Sequence, residues 1–442
     1  MKKRFLMVLA AAMMAVGGFA ADRAHTLKVY NWADYIDMDN VLNSFPAWYK
    51  AQTGEEVNVI YQTFDINESM LTQIEVGKED YDVVCPSEYI IERMLKQNLL
   101  QKIQKELVPD SVNYFKNVAP FVTDKFQQIA PEGVDASDYT IGYMWGTTGW
   151  MYNPKALEEN GIDASVLNSW SALTNPAFKN HIYVKDAFRD VYSVLVLYAY
   201  KEELAAGKVT KEELMTDITD ERIARVENIL KEAKDNIAGW EVDFGKEEMT
   251  KGKMWLNLSW SGDAQWALDQ AEEVGVKLDY VVPEEGSNVW FDGWVIPVYA
   301  KNPKAATFFI DYMCKPENAI YNMEEIGYVS VVATPEIFEW ASDEEAWPQT
   351  VDASYMFGAI GKNAHINHVQ YPDIAIIDKC ALMHDAGEQT EALVEMWNRV
   401  KGDNLSTGVV IFLILVVLCV IAYGAYIISK NNRHKTMSKK RR

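Results

Sequence analysis

Hydrophobic and polar residues alternate over 27–31 and again over 56–61, the period of a half-buried strand. Between them, 40–53 carries apolar residues at helical spacing and closes at Gly54, with Pro46 either interrupting the helix or marking a second start. Residues 67–76 read as a further helix, and 81–85 as a short apolar strand stopped by Pro86. This β-α-β-α-β order predicts a parallel α/β sheet. Ligands of such sheets sit beyond the carboxyl ends of the strands. The segments there are Asn31-Trp32-Ala33-Asp34-Tyr35 and Pro86-Ser87-Glu88-Tyr89, and each sets aromatic beside polar side chains.

The middle of the chain is more helical. Thr210-Lys211-Glu212-Glu213 has capping-box form. Ile223, Val226, Leu230, Ala233 and Ile237 then keep one apolar face. Strand-like stretches recur at 253–260, 278–282 and 294–298, and a last helix is predicted over 388–400 with Leu393, Trp397 and Val400 on one side. There is no internal repeat and no long Pro- or Ser-rich linker. Two α/β lobes with the chain crossing between them fit better than domains in series.

The two ends follow neither pattern. Residues 1–21 have a basic start at Lys2, Lys3 and Arg4, an apolar run from Phe5 and small residues at Gly18 and Ala20, which is the form of a secretory signal peptide. Residues 408–428 contain no charge over 21 positions, enough for a helix to cross about 30 Å of hydrocarbon. The basic stretch 429–442 behind them is then placed in the cytoplasm by the positive-inside rule. On this reading the body is exported and held at the cytoplasmic membrane by a single-pass helix, through a linker, 402–407, that reaches at most about 20 Å.

Charge sharpens that picture. The 442 residues carry a formal net charge of −22, but residues 1–20 and 430–442 hold ten of the 42 Lys and Arg and no acid, so the remainder has 32 basic against 64 acidic residues. Such a body excludes nucleic acid as a partner and admits cations. Four cysteines, Cys85, Cys314, Cys380 and Cys419, form no CxxC and read as free thiols rather than a disulfide framework. No nucleophile elbow, P-loop, H-E-x-x-H or dinucleotide fingerprint occurs, so no enzyme and no cofactor is expected. His365, His368 and His384 lack the companion ligands of a metal site, and none is assigned.

The positive signal is Trp and Tyr set beside acids: Trp32 and Tyr35 around Asp34, Arg189-Asp190 in mid-chain, Trp260-Ser261-Gly262-Asp263 after a strand, Trp290-Phe291-Asp292, and Gly327-Tyr328 at a helix end. An ammonium ion leaving water needs a carboxylate for its charge and an aromatic face for the rest of its surface. Trp-rich acidic clefts also hold sugars or oligopeptides, and two cleft acids serve glycoside hydrolases. The residues alone leave these alternatives open.

The run Val29-Tyr30-Asn31-Trp32-Ala33-Asp34-Tyr35-Ile36 resembles the opening of the spermidine/putrescine-binding proteins of polyamine ABC transporters. So do Tyr81-Asp82-Val83-Val84-Cys85-Pro86-Ser87, Tyr143-Met144-Trp145-Gly146-Thr147-Thr148-Gly149, Trp260-Ser261-Gly262-Asp263, Trp290-Phe291-Asp292 and Ile326-Gly327-Tyr328, in the family's order over about residues 27–400. The resemblance implies a two-lobed periplasmic-binding-protein fold with crossing hinge segments, lobe 1 comprising 26–141 and 291–337 and lobe 2 comprising 142–290 and 338–401. It implies that Trp32, Tyr35, Trp260, Trp290 and Tyr328 box the methylene chain of a polyamine, with Ser87 and Tyr89 adding polar contacts. Asp292 becomes the central ammonium partner and Asp190 the partner of another amine. Asp263 follows the putrescine-type pattern and Trp290 the spermidine-type one, while Met383 stands where spermidine binders have a glutamine. The implied partners are a polyamine, ABC permease subunits and, through 408–428, the cytoplasmic membrane.

Overall fold

The computed structural model describes residues 23–402, which divide after Thr390 into two compact units. The first opens as the hydrophobic pattern predicts. Strand β1 (Thr26–Trp32) lies between β2 (Asn58–Phe64) and β3 (Val83–Val84), parallel to both. Helices α1 (Phe45–Thr53) and α2 (Asn67–Glu75) provide the crossovers, as parallel pairing requires. The helix expected over 40–53 is two pieces. A π-helical turn, Met38–Leu42, precedes α1, and Pro46 sits in the first turn of α1, where a missing N–H costs nothing. Gly54 ends α1 at φ 76°, a conformation that favours glycine.

The chain continues through helix α3 (Glu88–Lys96), β4 (Leu100–Gln101) and a long β5 (Thr140–Tyr152). Then come β6 (Ile182–Lys185), helix α4 (Phe188–Ala199), β7 (Ile237–Glu241), β8 (Leu256–Trp260) and helix α5 (Ser261–Glu273). The last part holds β9 (Asp279–Val281), β10 (Asn288–Pro297), helices α6 (Pro303–Met313) and α7 (Pro316–Ile326), β11 (Val329–Ser330) and β12 (Ala381–Leu382). The main sheet runs β2-β1-β3-β10-β5-β8-β6-β7. Its two halves share β5: residues 140–147 pair with β10, and 148–152 pair with β8. The α/β class and the crossing chain expected from the sequence are therefore present.

Strand β5 is buried along nearly its whole length, as a strand covered on both faces must be. Trp145, Trp150, Phe291 and Trp294 on β5 and β10 are fully buried, each contributing roughly 1.5–3 kcal/mol relative to an exposed side chain. Small residues let these rings approach. A Cβ at Gly146 would stand 2.6 Å from the Trp290 ring, and one at Gly262 would stand 2.2 Å from the Tyr328 ring.

The capping box at Thr210 forms as read, with Glu213 closing it. The apolar face expected to run through Ile237 ends sooner, because helix Asp220–Glu232 gives way to a 3-10 turn and Ile237 opens β7. In the second unit, helix α8 (Thr390–Gly402) carries Leu393, Met396, Trp397 and Val400 at helical spacing. The expectation of a C-terminal membrane-spanning helix is corrected. No helix among the described residues is long and apolar enough to cross a membrane. The stretches 1–21, 403–407, 408–428 and 429–442, on which the leader, most of the linker, the anchor and the basic tail were read, lie outside the described residues. Cys85, Cys314 and Cys380 are buried free thiols.

Candidate functional site

The cluster is built on element ends. Asp292 sits in β10 at a bulge, where the pairing with β5 shifts register between Asp292 and Gly293. Such a bulge re-aims a side chain that regular pleating would commit to one face. Its carboxylate accepts from Tyr35 Oη and from Ser87 Oγ, each at 2.7 Å. Ser87 is the residue before α3, a helix-capping position, yet its hydroxyl goes to Asp292 and not to the helix backbone. Asn67 donates to both Ser87 Oγ and Tyr89 Oη at 3.0 Å, and Tyr89 donates to Glu68 at 3.2 Å. Thus the loops after β1 and β3, selected from the alternation pattern, converge on one acid of β10.

Burial pushes the Asp292 carboxyl up to about 7. Hydrogen bonds from Ser87 and Tyr35 oppose that rise, and the charge of Asp190 adds to it. Asp190 lies in the first turn of α4 and accepts from Asn288 Nδ2 at 2.9 Å. Burial lifts it to about 6 against hydrogen bonds from Asn288 and Trp260 and the charge of Arg189. Glu88 is buried beside them; desolvation drives it well above the usual carboxylate range, although the Phe291 N–H donates to one oxygen at 3.0 Å. Its other oxygen has no partner. Three acids with neutral hydrogen-bond partners are thus crowded out of water, a state that a cation would relieve.

Aromatic rings join this centre to a second one. Tyr35 packs edge-on against Tyr328, centroids 4.9 Å apart, and Tyr328 lies 5.6 Å from Trp290. Tyr328 Oη donates to Asp263 at 2.9 Å. Asp263, in the first turn of α5, is 2.5 Å from Lys185 Nζ and 3.6 Å from Lys246 Nζ. Burial would raise its carboxyl, but the two lysines outweigh burial and hold it below the ordinary range.

Of the ten residues read from the sequence, the structure brings nine into connection: Tyr35, Ser87, Tyr89, Asp190, Trp260, Asp263, Trp290, Asp292 and Tyr328. Trp32 ends β1 with its ring against Phe64, centroids 4.6 Å, and its indole N–H is buried without a partner. Met383 lies 3.5 Å from Asn288 Nδ2, a weak sulfur contact where an amide would bond fully. Sequence reading missed Lys185, Glu241 and Glu88. A lysine closing the apolar run Ile182-Tyr183-Val184 was the available signal for the first, and Glu88 stood inside a motif already chosen. The three histidines part company, with His365 Nδ1 on Trp347 O and His384 Nδ1 on Glu92. Among the described residues no group of three His, Cys, Asp or Glu converges as a metal site.

Comparison with solved structures places this architecture. A spermidine/putrescine ABC transporter protein from Listeria monocytogenes superposes with a TM-score of 0.64 at 28% identity, covering 85% of this chain and 99% of the other. The fold is that of the two-lobed α/β solute-binding proteins, a class that serves transport. The family model for bacterial extracellular solute-binding proteins matches residues 47–348, and the chain belongs to that family. A spermidine/putrescine-binding periplasmic protein of Salmonella typhimurium is 28% identical over 404 residues, 91% of this chain and 99% of the relative. Its counterpart in Escherichia coli is 31% identical over 331 residues, 74% of this chain and 84% of the relative. These relatives are named as periplasmic proteins, and with no membrane-capable helix among the described residues the expected single-pass location in the cytoplasmic membrane is withdrawn.

Proposed function

We propose that this protein captures a polyamine, spermidine or putrescine, and delivers it to the permease of an ABC transporter. The observation that carries the reading is Asp292: an acid held between Tyr35 and Ser87 and raised to about 7 by burial, among three aromatic rings. A primary ammonium arriving there gains a charge-assisted hydrogen bond and ring faces, and offsets the cost of the desolvated carboxylate. In this reading Asp292 is the central ammonium partner and Asp190 takes a second amine. Tyr35, Trp260, Trp290 and Tyr328 flank the methylenes, and Ser87 and Tyr89 orient the acid. In this reading the two lobes close about the segments of β5 and β10 that cross between them. The names of the Salmonella and Escherichia relatives support the ligand class.

A thermal-shift panel of putrescine, spermidine, spermine and cadaverine against glucose and a neutral tripeptide tests this. A rise in melting temperature with at least one amine and none with the neutral solutes is expected; a shift with glucose or the peptide alone would move the assignment to another solute class.

A further inference from the structure

The Asp263 end of the cluster already holds a cation, and the chain supplies it. Lys185 closes β6 with its side chain 0% exposed, its Nζ 2.5 Å from Asp263 Oδ2 and 3.1 Å from Glu241 Oε1. The same ammonium donates to the Val242 carbonyl and stands 4.5 Å from the centroid of Trp260. A carboxylate, a carbonyl and an indole face are the set an alkylammonium needs to leave water. Lys185 is itself a primary ammonium on a methylene chain, the chemical group that ends a polyamine.

Lys246 places a second positive charge 3.6 Å from the other Asp263 oxygen. Asp263 and Glu241 therefore each have a lysine partner within the chain, although Lys246 also lies 4.0 Å from Asp243. The hydrogen-bond partners of Asp292, Asp190 and Glu88 are all neutral: hydroxyls, an amide, an indole and a backbone N–H. The two ends are joined by single rings. Tyr328 bonds Asp263 and packs on Tyr35, which bonds Asp292. Trp260 lies under Lys185 and bonds Asp190. A ligand ammonium approaching Asp263 would meet two resident ones, whereas one approaching Asp292 meets an acid whose hydrogen-bond partners are hydroxyls, with the buried Arg189 acting as a cation on the neighbouring Asp190.

We propose that Lys185 sets the charge selectivity of the site: it fills an ammonium subsite at Asp263 and Trp260, so that the protein takes a diamine in preference to a triamine. The inference rests on the polyamine reading above. Exposing Asp263 by removing the lysine charge would open a subsite for one more amine. In that variant Asp263 keeps Lys246 at 3.6 Å while Glu241 loses the cation at 3.1 Å, and the missing positive charge would be met by the ligand.

Titration calorimetry of the full chain and of Lys185→Met, each with putrescine and spermidine, tests it. The wild-type protein is expected to bind putrescine at least about 10-fold tighter than spermidine. In Lys185→Met, spermidine affinity should rise at least about 10-fold while putrescine changes less than about threefold. The double variant Lys185→Met with Asp263→Asn restores charge balance and should return to the wild-type ranking. Wild-type protein that prefers spermidine, a single variant with an unchanged ratio, or a double variant that keeps the gain would each overturn the proposal while leaving polyamine binding intact. If Lys185→Met proves too unstable to titrate, the wild-type ranking and the double variant decide. Absence of any heat with either amine on the wild-type protein would instead remove the underlying reading.

Discussion

Asp292→Asn separates binding from folding. The acid makes two 2.7 Å hydrogen bonds, from Tyr35 and Ser87, and is 5% exposed. Holding a carboxyl near 7 where 3.8 is ordinary corresponds to about 4 kcal/mol against the ionised folded state above pH 8. Asparagine carries no such cost, but its amide nitrogen replaces one acceptor, so one of the two hydroxyls loses its partner at about 1–3 kcal/mol. The first effect exceeds the second by about 1–3 kcal/mol, and the ligand-free variant should melt at or a few degrees above the wild type at pH 8. Binding behaves differently. Removing one partner of a buried charge pair costs about 2–5 kcal/mol, a loss of roughly 30-fold to several-thousand-fold in affinity for the preferred polyamine. Calorimetric titration and melting curves on the same preparations read both quantities. A variant that binds within about threefold of wild type would refute the role given to Asp292. A large drop in ligand-free stability would refute the claim that its ionised form is paid for by ligand.

Three other predictions follow from the same geometry. Polyamine affinity should fall as pH drops from about 8 to 5, because Asp292 and Asp190, raised to about 7 and about 6, take up protons while alkylammonium groups near 10.4 stay charged. For the ligand-free protein the sign is opposite: a carboxyl with a raised folded pKa is stabilising when protonated, so these groups lower stability as pH rises from about 4 to above 7. Asp311, also raised to about 7 by burial, contributes the same slope in Asp292→Asn, so the difference between wild type and variant isolates the site. Gly262→Ala would put a Cβ 2.2 Å from the Tyr328 ring, displacing its hydroxyl from Asp263; at least about 10-fold weaker putrescine binding is expected, and an unchanged titration would dissociate Tyr328 from the site. Asp263→Asn leaves the buried Lys185 with Glu241 as its acid at 3.1 Å and should destabilise the fold by roughly 3 kcal/mol, read as a melting point lower by about 4 °C.

The first βαβαβ unit was legible because β1 and β2 alternate and Gly54 and Pro86 punctuate them. The joint between the sheet halves was not. Strand β5 is buried on both faces and interrupted by Gly142, Gly146 and Gly149, so it has no period for a pattern to detect. Acids beside aromatics drew attention to Asp292 and Asp263, which the structure links through the rings of Tyr35 and Tyr328. What that pattern could not show is which acids are already paired. Lys185 lies 78 positions from Asp263 and 56 from Glu241 in the chain, and only the pairing of β6 with β7 and β8 brings the three together. The reading of an anchor from 408–428 rested on composition alone.

The central claim is tested most directly by titrating the purified, dialysed full-length chain with putrescine and spermidine in a calorimeter at pH 8. One-to-one binding of at least one amine with Kd of about 1 µM or tighter is expected, lost in Asp292→Asn. No heat from either amine up to about 1 mM, on protein that melts cooperatively, would contradict the account.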